Sequence, residues 1–333
     1  MIQDSMIQDS TMRIPENAMA VKRPICSDLL RHYNLPSQDK LKYLATSAAK
    51  FLLDGLPTNV AKMLCEGFLT GTQGVDIPDW KIVVKYFQQN SEIIPALTKN
   101  PGTYEMLEMM YRFKPVFGAI DKYFRHSKSG EALYNRYRAV DIRACKDVKK
   151  IIEQTGFCLM IDIGSGPGRN GINICQKLPK LNDKIAIECI DIDTDAIAFG
   201  QTLVADLGIG INQVIFVQKN MMRLAKHYPG NVDYGLLIGI LCGLTRTERV
   251  KLLTIIKPYF REGALLVAAS LLDRMAEEDL LCAYILRETT GWGLQYPPLG
   301  ELKKVFEEAG WCYEGYFQEE PTRFYEIGVG LLS

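Results

Sequence analysis

Several things are scarce in this 333-residue sequence. Net charge is missing, since 39 Lys and Arg balance 39 Asp and Glu. Proteins that coat nucleic acid or a membrane surface by bulk electrostatics are normally basic, so neither is an expected partner. Paired cysteines are missing too. The nine cysteines contain no CxxC pair, and the closest two, Cys145 and Cys158, are thirteen positions apart. That excludes zinc knuckles and thioredoxin-type motifs. Cys158, Cys189 and Cys242 lie in apolar runs, where a free thiol behaves as a small hydrophobe. The expectation is reduced thiols in a cytoplasmic protein, with no metal cluster. No apolar run spans a bilayer; the longest uncharged one lies near Gly235 to Thr245. The start, MIQDSMIQDSTMRIP, is polar and acidic with no apolar stretch, so it does not read as a secretory signal. Its duplicated MIQDS places residues 1–12 as a disordered tail.

What is present divides in two. Residues 1–150 carry 22 Lys and Arg against 16 Asp and Glu, and residues 151–333 carry the opposite imbalance. The first part reads as helical. Gln38 to Asp54 sets Leu41, Leu44, Ala48, Phe51 and Leu52 on one stripe behind a Ser37 cap. Helices are also expected at Asn59–Leu69, Trp80–Phe87 and about Gly130–Gln154. After residue 157 the period changes. Short apolar runs at Cys158–Ile163, Ile185–Asp191, Val214–Gln218, Asp233–Ile240 and Gly263–Ser270 are separated by helical stretches. This alternation predicts parallel strands with crossover helices. Trp311–Gln318 and Phe324–Leu332 are joined too closely for a crossover, so the sheet should end in an antiparallel hairpin. The expected architecture is α/β: a seven-stranded Rossmann-like sheet with a C-terminal hairpin, plus an N-terminal all-α domain. The boundaries are 13–150 for the helical cap and 151–333 for the sheet domain.

The informative stretch is Ile161-Asp-Ile-Gly-Ser-Gly-Pro-Gly-Arg-Asn-Gly171. A buried strand runs into three alternate glycines, and a helix follows. Glycine serves where a side chain would block a ligand or where φ must be positive. The helix N-terminus behind such a loop offers free N–H groups, at the strand ends where open parallel sheets bind ligands. Gly166-x-Gly168-x-x-Gly171, with Asp191 twenty residues on, also fits a dinucleotide fingerprint. Against an NAD-dependent dehydrogenase stands Asp162 at the strand end, where a carboxylate repels a pyrophosphate but favours a cation. The fingerprint would also start two residues late, and the terminal hairpin is foreign to a plain dinucleotide fold.

On these residues, positions 157–333 resemble the class I S-adenosylmethionine-dependent methyltransferases of the small-molecule type. The family's acidic-Gly-x-Gly-x-Gly motif matches Asp162-Ile-Gly164-Ser165-Gly166-Pro-Gly168. The resemblance implies that these residues meet the methionine part of the cofactor S-adenosyl-L-methionine. It implies that Asp191 accepts the ribose hydroxyls and that Ile192 lies against the adenine. Gln218-Lys-Asn220-Met221 matches the stretch that binds the adenine amino group, with Asn220 standing where the family often has an acid. Gly239 and Cys242, after the fourth strand, match the segment beside the transferring methyl. The implied activity is methyl transfer to a small-molecule acceptor, driven by positioning and water exclusion. Aminocarboxypropyl transfer of the nicotianamine synthase type is the nearest enzymatic alternative, and an inactive cofactor-binding scaffold is another.

Residues for the acceptor side are less sharply marked. Arg112–Lys150 holds eleven basic and four acidic residues. It reads either as a solvated helix surface or as a cap in which Tyr134, Arg136, Tyr137 or Arg138 meets the cofactor carboxylate or an anionic acceptor. In the connection after the fifth strand, Tyr284, Arg287 and Trp292 are candidates for the acceptor pocket, on a helix expected over 275–287. His126 could approach the cofactor mouth, whereas His227 reads as a surface residue. In enzymes of this kind a helical N-terminal domain commonly serves dimerisation, so a homodimer is one expectation.

Overall fold

A computed structural model of the chain describes residues 27–71, 79–99, 102–210, 212–224 and 230–333. The tail at 1–12 and His227 lie outside these residues. Nine helices precede the first strand among the described residues: α1 Ser27–Tyr33, α2 Ser37–Leu44, α3 Ser47–Asp54, α4 Thr58–Thr70, α5 Trp80–Gln89, α6 Ile93–Lys99, α7 Tyr104–Met110, α8 Gly118–His126 and α9 Lys128–Thr155. The strands are β1 Cys158–Ile163, β2 Ile185–Asp191, β3 Val214–Gln218, β4 Val232–Leu237, β5 Phe260–Leu271, β6 Cys312–Phe317 and β7 Tyr325–Leu331. Between them run α10 Arg169–Lys177, α11 Thr194–Asp206, α12 Arg246–Ile256, α13 Arg274–Glu278, α14 Leu280–Thr290 and α15 Glu301–Glu308. No helix among the described residues is long and apolar enough to cross a membrane.

The seven strands form one sheet in the order β3-β2-β1-β4-β5-β7-β6. β1 pairs in parallel with β2 on one side and β4 on the other. β7 lies antiparallel between β5 and β6. The chain thus reverses direction of travel across the sheet between β1 and β4. Such switch points leave a crevice at the carboxyl ends of the strands.

The two sheet faces bury different partners, as the alternation of side chains along a strand dictates. Cys158 and Met160 of β1 share a cluster with Val140, Ala144 and Val148 of α9, with α10, and with the aromatic and aliphatic residues of α1–α8 and α14. Ile161 and Ile163 face the other way, against Leu252, Leu253 and Ile256 of α12 and Phe306 of α15. A reciprocal capping box between Thr245 and Glu248 starts α12. Buried Glu319 organises the turn into β7, accepting from Thr322 Oγ1 at 2.7 Å and from the N–H groups of Phe324 and Tyr325.

Three local expectations change. The helix expected over 38–54 is broken, because Thr46 is extended and its hydroxyl caps α3 by accepting from the Ala49 N–H. Leu41 and Phe51 are consequently half exposed instead of lying in the core. Ser37 is not a cap: Pro36 holds that position and the Ser37 hydroxyl donates to the Leu69 carbonyl. The helix expected over 275–287 is split at Asp279, whose carboxylate accepts from the N–H and hydroxyl of Ser129.

Candidate functional site at the switch point

The loop between β1 and α10 is wound by its glycines. Gly164, Gly166 and Gly168 all have positive φ, at 66°, 54° and 70°. A Cβ at Gly164 would lie 2.3 Å from Ile240 Cδ1, so the end of that side chain would have to shift to admit one. The N–H groups of Gly164 and Ser165 both donate to the Ile190 carbonyl, which ties the loop to the end of β2. Gly168 then caps α10, and Gly171 packs that helix close to Ile187.

Two carboxylates sit at this turn in different surroundings. Asp162, the penultimate residue of β1, is 1% exposed, and its Oδ2 has no hydrogen-bond partner. Burial, and then the charge of Asp191, push its carboxyl up to about 7. Asp191, at the end of β2, is half-buried and engaged through both oxygens. Its Oδ2 accepts from Gly166 N–H at 2.7 Å, and its Oδ1 accepts from the N–H groups of Ile192 and Asp193 at 2.7 and 2.9 Å. Asp191 is therefore a staple across the glycine loop as well as a ligand candidate.

The helical layer covers this loop. Tyr104 of α7 passes over Gly166 and stacks on Phe199 at 5.3 Å. Glu108, one turn on, forms a bidentate pair with Arg169, the first residue of α10. Arg169 also lies under the Phe113 ring, 4.0 Å from its centroid. A small cavity of about 30 Å³ remains here, lined by Gly164, Ser165, Glu108, Tyr111, Arg169 and Ile238. A second cavity of about 90 Å³ opens beyond it, with Leu107 common to both. Its wall is mostly apolar, and it reaches Gly239 and Cys242 just past β4. The fourth strand ends at Leu237, three residues earlier than expected, which lets Gly239 turn at φ 89°.

No protein-family model matches this chain, and no curated protein matches its sequence. Solved structures do match its fold. A protein described as a possible exported protein from Bordetella parapertussis aligns over 91% of this chain and 98% of its own, at 13% identity and a TM-score of 0.55. Magnesium protoporphyrin IX methyltransferase (ChlM) from Synechocystis PCC 6803, solved with bound SAH, aligns over 77% of this chain and 100% of its own, at 14% identity and a TM-score of 0.52. The inserted antiparallel β7 agrees with that likeness. The chain has the class I methyltransferase fold.

The methyltransferase fold makes S-adenosylmethionine the cofactor to test against the residues. One feature of the turn suits a cation-bearing ligand: Asp162, at the end of β1, holds a buried oxygen without a partner. Its carboxyl lines neither cavity, and Ile240 lies against Gly164. The donor set suits such a ligand as well. Asp191 offers the one remaining lone pair of Oδ2 beside the loop, and Ile192, 63% exposed, presents a free apolar surface next to it. Asn220 is exposed and spends one lone pair of Oδ1 on the Met222 N–H, capping the turn Met221–Arg223.

Other candidate residues fall elsewhere. Cys242, Trp292 and Gly239 line the larger cavity, as does Arg136. Cys242 donates to the Gly239 carbonyl at 3.3 Å, and burial pushes its thiol up, so it is a wall and not a thiolate. Tyr134 and Arg138 line neither cavity. Arg138 is exposed, and Tyr134 lies under Arg112 at 4.1 Å. Tyr284 and Arg287 are corrections too, because α14 is buried along nearly its whole surface and turns both away from the cavity. Tyr284 sits in an aromatic cluster with Tyr33, Phe68 and Trp80, and Arg287 covers the Tyr33 ring. His126 is exposed beside Glu131 and lines neither cavity. The residues missed from sequence are Tyr104, Glu108 and Tyr111. Only Arg169 carried a signal, as the helix-opening residue directly after the glycine motif.

Proposed function

We propose that this protein transfers the methyl group of S-adenosylmethionine to a small-molecule acceptor lodged between the helical layer and the carboxyl ends of β1 and β4. The observation that carries the reading is the buried Asp162 carboxyl, whose Oδ2 has no partner, at the strand end just before three left-handed glycines. Bound there, the cofactor supplies a methyl carbon made electrophilic by its sulfonium. The protein's residues do the rest by placement. Asp162 and the glycine loop hold the methionine end, Asp191 holds the ribose, and Ile192 and Met221 flank the adenine. Gly239 and Cys242 bound the space where the acceptor meets the methyl. The apolar wall of the larger cavity excludes water, and α7 closes the loop from above. Fixing two reactants in line in this way can supply about 7–11 kcal/mol of a barrier. The eight described cysteines are free thiols, which supports a reducing, cytoplasmic setting.

Calorimetry with S-adenosylhomocysteine and with NADH tests the cofactor. The first should bind and the second should not; the reverse result would return the dinucleotide reading. Turnover with methyl-labelled cofactor and mixed small-molecule extracts tests the reaction. Methyl transfer leaves S-adenosylhomocysteine, whereas aminocarboxypropyl transfer leaves methylthioadenosine.

A further inference from the structure

Among the described residues that line the larger cavity, one side chain is charged. Arg136 of α9 is 2% exposed and lines a chamber otherwise walled by residues such as Met106, Met110, Leu133 and Leu294. One Nη donates to the Tyr111 hydroxyl at 2.8 Å, and the guanidinium lies 4.7 Å over the Tyr325 ring. Its Nε has no partner, and among the described residues no carboxylate pairs with it.

The other deeply buried arginine behaves differently. Arg249, also 2% exposed, spends its Nε on the Leu241 and Leu244 carbonyls and an Nη on Ser270. Arg169, beside the glycine loop, is neutralised by Glu108. Arg249 holds the chain together, and Arg169 has its counter-charge inside the chain. Arg136 keeps its charge in a desolvated, apolar chamber. A guanidinium there is costly unless an anion completes it, and its planar fork matches a carboxylate. The Tyr111 hydroxyl accepts from Arg136 and borders the smaller cavity, so it positions the guanidinium from the side away from the chamber.

Position decides which anion. Arg136 lines the chamber past β4, its guanidinium close to Gly239, whereas the glycine loop and Asp162's turn border the smaller cavity. We infer that the acceptor is an apolar organic acid whose carboxylate is received by Arg136. This rests on the methyl-transfer reading for the meaning of "acceptor", but the anion site itself can be measured without the cofactor.

The test is calorimetric titration of the full chain with octanoate, 3-phenylpropanoate and cinnamate, and with the matching primary amides. The wild type should prefer acid over amide by about 10- to 150-fold, the worth of a hydrogen bond to a charged group. Arg136→Met should abolish that preference, and Arg136→Lys, which keeps the charge without the fork, should retain part of it. Both variants should bind S-adenosylhomocysteine as the wild type does. Equal binding of acids and amides by the wild type, or no binding of any acid, would overturn the proposal. So would a loss of S-adenosylhomocysteine affinity in Arg136→Met with methylthioadenosine affinity unchanged, because that assigns the guanidinium to the cofactor's own carboxylate. Failure of the cofactor reading looks different, since the wild type would then ignore S-adenosylhomocysteine whatever the acids do.

Discussion

Replacing Asp162 by Asn is expected to stabilise the ligand-free protein at neutral and alkaline pH while weakening its hold on the cofactor. Burial and the neighbouring Asp191 charge lift this carboxyl from 3.8 to about 7. In the unfolded chain it ionises at the lower value, so between the two the folded state holds the proton and the unfolded state does not. Stability therefore falls as pH rises across that window, and the whole penalty is present above it. The gap sets a ceiling of about 4 kcal/mol. Urea denaturation of the wild type at a series of pH values should show this decline, and Asp162→Asn should flatten it. Cofactor binding runs the opposite way. The α-ammonium of the cofactor, which S-adenosylhomocysteine keeps, needs the ionised carboxylate, so below pH 7 affinity should drop by about tenfold per pH unit. Calorimetric titration with S-adenosylhomocysteine across the same range reads this directly. A wild-type stability that ignores pH in the window would remove the physical basis of the site.

Asp191→Ala should damage two things at once. The carboxylate takes three backbone N–H groups, from Gly166, Ile192 and Asp193. Hydrogen bonds to a charged group are worth about 1.5–3 kcal/mol each when buried, and this group is half-buried. After allowance for solvent screening, a net stability loss of about 1–3 kcal/mol is expected. Cofactor affinity should fall further, by about 100-fold, because the ribose contacts go and the Gly166 turn loses its anchor. Asp191→Asn keeps one acceptor oxygen and should recover part of the stability and little of the affinity. Unchanged affinity in Asp191→Ala would mean that the end of β2 does not hold the cofactor.

The central strands β1 and β4 were legible because they are buried on both faces and so write themselves as continuous apolar runs. β1, β2 and β3 match the expected spans Cys158–Ile163, Ile185–Asp191 and Val214–Gln218 residue for residue. The glycine loop was legible because positive φ restricts the choice of residue. The helical layer was less so. Nothing local in the sequence marks Thr46 as a break stronger than the apolar stripe it interrupts, or Asp279 as a partner for Ser129, 150 positions away. The site's roof was illegible for the same reason. Glu108 and Arg169 are 61 positions apart, and only tertiary packing brings them together. Tyr284 and Arg287 were misplaced because a helix enclosed on nearly all sides gives no periodic sign of which face meets a cavity.

One consequence follows from the way the first face of the sheet is covered. The side chains of α9 and the earlier helices form a single apolar cluster with Met160, Ile187 and Tyr234, unbroken from Leu29 to Val329. A chain starting at Phe157 would bare half of the sheet's interior to water, and the helices alone would lose the surface they rest on. Heating should accordingly give one endotherm in scanning calorimetry. Evolution of the roof is tied to evolution of the floor, since a change of acceptor specificity in α7 or α9 must also be a tolerable change to the shared apolar core beneath it.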